Sequence, residues 1–448
     1  MKKIILSAAF ALITFCASAA FGDIFSEMYL NYLVMDDDAS TDYPKVWVIG
    51  PSTAGSTQPN LSLSIPTAVT HDGVTYRVTQ IDAKAFSGRT NIVQAFIGYG
   101  ITHIGNEAFK GCSKLVNVRI PSSIQSIGDN AFASCSALKE VNIANDDPST
   151  FTTSASAFPS NSDMTLGVAK TNDLRTVTAF NNLSQYSKFA TIELSSAAYD
   201  FTTDDSFAMC VTKAPSKNVP GEVKLVGVFG NSTGAFAPKA TYTHSVYSYK
   251  LVATGFRSCK DQTQIKSFDF SNATNLKTID CYTFSGCTNL TSVNLGSTVD
   301  QIELYAFENV PISSITIPKS VSYIGYLAFN KCPNLSAISV EANHQCFKSS
   351  YGVLYKSLGD GEWNLLCCPA AFPYAAFYEY MFPSQVTVID SYAFAFCTNL
   401  KTIHIPYGVQ KLKDYLFNAA LQEVKIPGSV SEFDADAFGN ASGLQRIF

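Results

Sequence analysis

A phenylalanine returns along this chain at a nearly fixed interval, and that period restricts the possible folds more than any other feature. Phe86, Phe109 and Phe132 are 23 residues apart, as are Phe284 and Phe307, while Phe329, Phe394, Phe417 and Phe438 stand in the same local context. Five residues before each comes an apolar residue: Ile81, Ile104, Ile127, Ile279, Ile302, Ile324, Ile389, Leu412 and Phe433. Three residues after it, Cys112, Cys135, Cys287, Cys332 and Cys397 recur. The apolar spacing then changes. Leu115-x-x-Val118-x-Ile120-Pro121 and Leu400-x-x-Ile403-x-Ile405-Pro406 end in alternation, the mark of a short strand with one buried face. One residue is missing between Phe307 and Phe329 and two between Phe417 and Phe438, in each case between the Phe and the strand, where a turn absorbs the loss. A single strand and turn cannot bury its own apolar side. Such units must stack into a solenoid whose strands pair in parallel, with the Ile, Phe, Cys and Leu positions as its core.

The pattern I-[GD]-x-x-A-F-x-x-C-x-x-L-x-x-V-x-I-P is nearly complete in residues 104–120 and close to it from residue 127. It resembles the BspA-type leucine-rich repeat family, a Treponema-like repeat found in surface proteins of Bacteroides-like bacteria and of some protists. The resemblance implies a β-rich solenoid, a leucine-rich-repeat-like right-handed superhelix, and a binding role. Between residues 143 and 249 the repeat fades. Residues 165–194 resemble the tail that ends some solenoids of this family, and residues 199–249 echo residues 24–76. Two tandem modules with non-repeat caps are therefore expected, 20–195 and 196–448, with residues 1–19 preceding them. A second break, residues 341–385, holds two β-rich runs around Gly359-Asp360-Gly361, which predicts a hairpin insertion.

Lys2 and Lys3, the apolar run 4–15 and Ala17-Ser18-Ala19 read as a signal peptide, residues 1–19, with the mature chain starting near Ala20. Export to the cell surface (outer membrane associated) or secretion is expected. Phe15 stands where a lipid-attachment signal needs a small residue before Cys16, which argues against a lipoprotein. No later stretch reaches the ~18 continuous apolar residues of a membrane span. The net charge is −5 and the basic residues are scattered, so no nucleic acid partner is expected. Of the 12 cysteines, Cys16 leaves with the signal, and the odd remainder cannot pair completely. Those at the repeat position read as buried thiols.

Chemistry finds little support. His71, His103, His244, His344 and His404 form no H-E-x-x-H, and no zinc spacing, G-x-S-x-G, P-loop or Rossmann fingerprint is present. Asp36, Asp37, Asp38 and Asp42 do not match an EF-hand and read as a solvated acidic loop. No enzyme, cofactor or metal site is expected. What is left is the outer face of the strands, because residues between buried ones point outward. These are Asn117, Arg119, Glu140, Asn142, Ser292, Asn294, Ser314, Thr316, Thr402, His404, Glu423 and Lys425. The second module, with six repeats, is expected to offer the longest continuous row. The family resemblance implies an adhesin-like role, binding an extracellular protein or host-cell surface ligand. The alternative is a glycan-binding accessory protein of a surface complex, against which the row holds few aromatics, Phe96 and Phe448 excepted.

Overall fold

A computed structural model describes residues 22–36, 43–161, 163–170, 175–195, 197–204, 206–216, 218–231 and 233–448. The signal segment with Cys16, and Asp37, Asp38 and Asp42 of the acidic run, lie outside the described residues; Asp36 pairs with Lys45 at 3.1 Å. The chain divides into two compact units, residues 1–141, 149–164 and 183–190 in one and residues 142–148, 165–182 and 191–448 in the other.

Each unit is a solenoid, and its repeat makes two strands where the sequence showed one. The alternating run gives the longer strand, as in Asn117–Ile120 and Ser314–Ile317, with burial alternating along it. The apolar residue ahead of the Phe gives a second, two-residue strand that builds a separate parallel sheet: His103–Ile104 pairs with Ser126–Ile127, and Thr278–Ile279 with Gln301–Ile302 and then Tyr323–Ile324. A third ladder ties the turns. The N–H of Phe86, Phe109 and Phe132 donates to the carbonyl of Ala108, Ala131 and Ala157, and those of Phe284 and Phe307 to Ala306 and Ala328. Backbone groups in the turns are thereby paired with the next turn and not left buried and unsatisfied.

The repeated Phe is the centre of the core. Phe86, Phe109 and Phe132 are fully buried, and together with Phe158 they stack at 5.0, 5.1 and 5.4 Å between ring centroids. Phe284, Phe307 and Phe329 stack at 5.3 and 5.6 Å. The recurring cysteine is a buried free thiol, and it acts as a donor as well as a filler. Cys112, Cys135 and Cys332 each donate to the carbonyl of the Phe one repeat earlier, at 3.3, 3.1 and 3.0 Å. Cys287 and Cys397 do the same to Cys259 and Cys368. Those two cysteines therefore occupy the Phe position of turns that the Phe spacing passed over. All eleven cysteines among the described residues are free.

One entry motif is built three times. Ile24–Glu27, Leu30–Asp36 and Lys45–Pro51 form an antiparallel meander whose last strand lies parallel to Val74–Ile81. Phe201–Thr202, Phe207–Lys213 and Gly221–Val228 repeat this against Tyr247–Thr254. The expected hairpin, Val353–Gly359 with Glu362–Cys367, is present and gains Phe347–Ser350 as a third strand, so it too is a meander, parallel to Val386–Ile389. In the first two, an added strand places His71 on Phe25 at 4.3 Å and His244 on Phe201 at 4.5 Å, with the rings parallel.

Candidate functional site

The outer strand face holds most of the predicted residues at its surface, but divides them. In the first unit Asn117 Nδ2 donates to Glu140 Oε2 at 2.7 Å, and the Arg119 guanidinium lies over the Phe96 ring at 4.8 Å. Asn142 departs from the expectation. It is 1% exposed, because strand Thr165–Ala169 closes over it at Gly167, where a Cβ would strike the Asn142 side chain.

In the second unit the expected unbroken row is not formed. Ser292 and Asn294 end a three-stranded sheet, Ser314 and Thr316 lie in a two-stranded one, and Thr402, His404, Glu423 and Lys425 share a four-stranded one. The first break falls where the repeat is one residue short, and the second where the meander of residues 347–367 interrupts the stack. The four-stranded sheet, Ala376–Phe377, Thr402–His404, Glu423–Lys425 and Arg446–Ile447, brings its residues into register. Thr402 lies beside Glu423 and His404 beside Lys425, and Arg446 Nη2 donates to Glu423 Oε2 at 2.7 Å.

This sheet also carries aromatics that strand alternation could not reveal. Tyr378 meets the His404 ring edge to face at 4.9 Å and stacks with Tyr380 at 5.7 Å. Tyr380 and Tyr407 are 71% and 81% exposed. The only signal in the sequence was the tyrosine content of residues 374–380, inside the break. The same interruption leaves a partly open cavity of about 180 Å³ between the turns that carry Phe329 and Phe394, lined in part by Tyr326, Tyr392 and Phe396. Among the described residues no three His, Cys, Asp or Glu side chains gather so as to hold a metal ion, and no helix is long and apolar enough to cross a membrane.

No curated protein matches the chain significantly in sequence. Among solved structures, a leucine rich cell surface protein from Faecalibacterium prausnitzii A2-165 is 19% identical over 95% of this chain and 94% of its own, with a TM-score of 0.35. A leucine-rich repeat protein from Bacteroides ovatus ATCC 8483 is 19% identical over 94% of each chain, with a TM-score of 0.35. The pneumococcal vaccine antigen PcpA is 15% identical over 93% of this chain and 78% of its own, with a TM-score of 0.36. The family model described as BspA type leucine rich repeat region matches residues 73–186, 255–352 and 368–448, in six copies. With its repeat matched over most of the solenoid, this chain belongs to the BspA-type leucine-rich repeat family.

Proposed function

We propose that the chain is an exported, adhesin-like binding protein, at the cell surface or secreted, that holds an extracellular protein through the outer strand face and performs no catalysis. Family membership supports a binding scaffold. The observation that carries the reading is the patch on the four-stranded sheet, where exposed Tyr378 and Tyr380 stand beside His404 and Lys425, with exposed Tyr407 in the turn that follows the His404 strand. Exposed tyrosines beside a polar row are the composition of protein interfaces, where aromatic anchors carry most of the affinity. Export rests on the signal-like N-terminus, and the two modules are proposed to divide near residue 195.

Repeat arrays bind along extended faces, so single changes such as Thr402→Ala are expected to act weakly. Tyr378→Ala, His404→Glu and Lys425→Glu combined are expected to abolish adherence to cultured host cells through lost contacts and charge repulsion. Pre-treating those cells with trypsin removes protein ligands and is expected to abolish adherence of the unmodified chain. A folded triple variant that still adheres, or adherence that survives trypsin, rejects a protein partner on this sheet.

A further inference from the structure

Two residues before the Phe position, most turns enter the left-handed region of backbone space, and there the two units differ. The first unit places Lys84, Glu107 and Asn130 at φ 60°, 57° and 54°, whereas the second places Tyr282, Tyr305, Tyr392 and Tyr415 at 56°, 54°, 63° and 52°, with Arg257 and Leu327 in the same position of two further turns at 54° and 55°. The turn itself thus requires no ring. A bulky side chain at positive φ is strained, and strain of this kind is a pointer to function.

Tyr282 stacks on Tyr305 at 5.0 Å and Tyr392 on Tyr415 at 5.1 Å. The stack ends where Leu327 takes the position in the turn of Phe329, and there the preceding residue, Tyr326, meets Tyr392 edge to face at 6.3 Å beside the cavity. Its volume of about 180 Å³ suits one six-membered ring, since about 150 Å³ holds a benzene. Four aromatic residues, Tyr326, Phe329, Tyr392 and Phe396, line it together with Asn330, Asn364 and Asp390. Asn330 and Asn364 are 6% and 8% exposed, and the side-chain oxygen of each is buried with no hydrogen-bond partner. Such an oxygen costs free energy until a donor reaches it, and the soft χ2 of Asn330 lets its amide turn toward a ligand. Asp390 is held in place by Asn364 Nδ2 at 2.9 Å on Oδ2 and by Lys413 Nζ at 2.7 Å on Oδ1. The polar side of the cavity therefore offers the acceptors of Asn330, Asn364 and Asp390 beside one cationic donor, Lys356, and the rings supply an apolar side. A matching ligand has one apolar face and several O–H donors around its edge. A pyranose has both.

We propose that this cavity binds one uncharged pyranose residue of a glycan, its C–H face against Tyr326, Tyr392 and Phe396 and its hydroxyls donating to Asn330, Asn364 and Asp390. This site is separate from the sheet patch around His404, and neither reading depends on the other. The full chain is applied to an array of immobilised glycans, and the best terminal sugar is then titrated calorimetrically as its methyl glycoside. Saturable binding is expected, weakened about tenfold by Tyr326→Ala and by Tyr392→Ala, as loss of a ring contact implies. Lys425→Glu is expected to leave it unchanged. Tyr326 is 45% exposed, so its removal spares the core, and thermal melts of each variant verify folding. The proposal is overturned by a blank array with folded protein, by glycan binding indifferent to both tyrosine changes, or by a cavity that takes indole but no methyl glycoside.

Discussion

The recurring cysteine shows how one residue type serves a repeat twice. It fills a small gap beside the Phe stack, and its thiol, a weak donor, caps a carbonyl buried one turn away, as Cys332 does for Phe307 at 3.0 Å. Burial pushes the thiols of Cys259 and Cys332 up to about 12. Because the thiolate is the reactive form, iodoacetamide near pH 8 is expected to leave both unmodified in the native chain and to label them in denaturant, with half-buried Cys346 reacting first; peptide mass mapping reads this directly. A second residue titrates nearer neutrality. Burial lowers the pKa of His244, which lies flat on Phe201. The unfolded chain then holds the extra proton, so the stability from this site is complete above the unfolded value near 6.5 and is lost as pH falls below it. His244→Phe, which keeps the ring stack, is expected to flatten the fall in melting temperature between about pH 7.5 and about pH 5.

At the scale of elements, legibility followed length. The strand Asn117–Ile120 has four residues and shows its alternation, whereas Ser126–Ile127 has two, so its Ile was recognised as core but not as strand. The turn at Phe158 was missed because Thr153 stands where other repeats have an apolar residue, although Ala157-Phe158 kept the local pair. The turn at Cys259 was missed because a cysteine replaces the Phe, and only its hydrogen bond to Thr283 and the thiol of Cys287 reveal the register. Glycine after the apolar residue has a steric reason. A Cβ on Gly325 would lie 2.5 Å from the Leu304 nitrogen, while one on Gly428 meets nothing within 4 Å. Gly325→Ala is expected to cost about 1–3 kcal/mol by pushing neighbouring turns apart. Gly428→Ala is expected to be near neutral, and paired denaturant melts distinguish the two.

For the whole molecule, the meander that precedes each run of repeats explains how a stack of open turns is started. A first turn has no predecessor to cover it, and an antiparallel meander supplies a parallel edge without needing one. Val74–Ile81 and Tyr247–Thr254 both receive that edge, and Val386–Ile389 receives it again after the interruption. The proposed export belongs to the same scale, since a signal peptide at the N-terminus would decide where the molecule resides. Secreted material is expected to give an intact mass corresponding to a start near Ala20. A retained Met1, or a lipid on Cys16, shows the predicted cleavage near Ala20 to be wrong.

The sequence by itself determined the period, the core positions and hence the stacking of turns, because each of those is a local spacing that only one kind of packing satisfies. Tertiary structure alone decided which outward residues share a surface. Asn142 alternates correctly and is nonetheless buried, since the strand that covers it comes 23 residues later. His404 gained its tyrosine neighbours, and the cavity its walls, from segments on either side of an interruption that carries no repeat. Spacing along the chain fixes what a residue does within its own turn, and the sites arise where turns from distant segments are brought against one another or fail to meet.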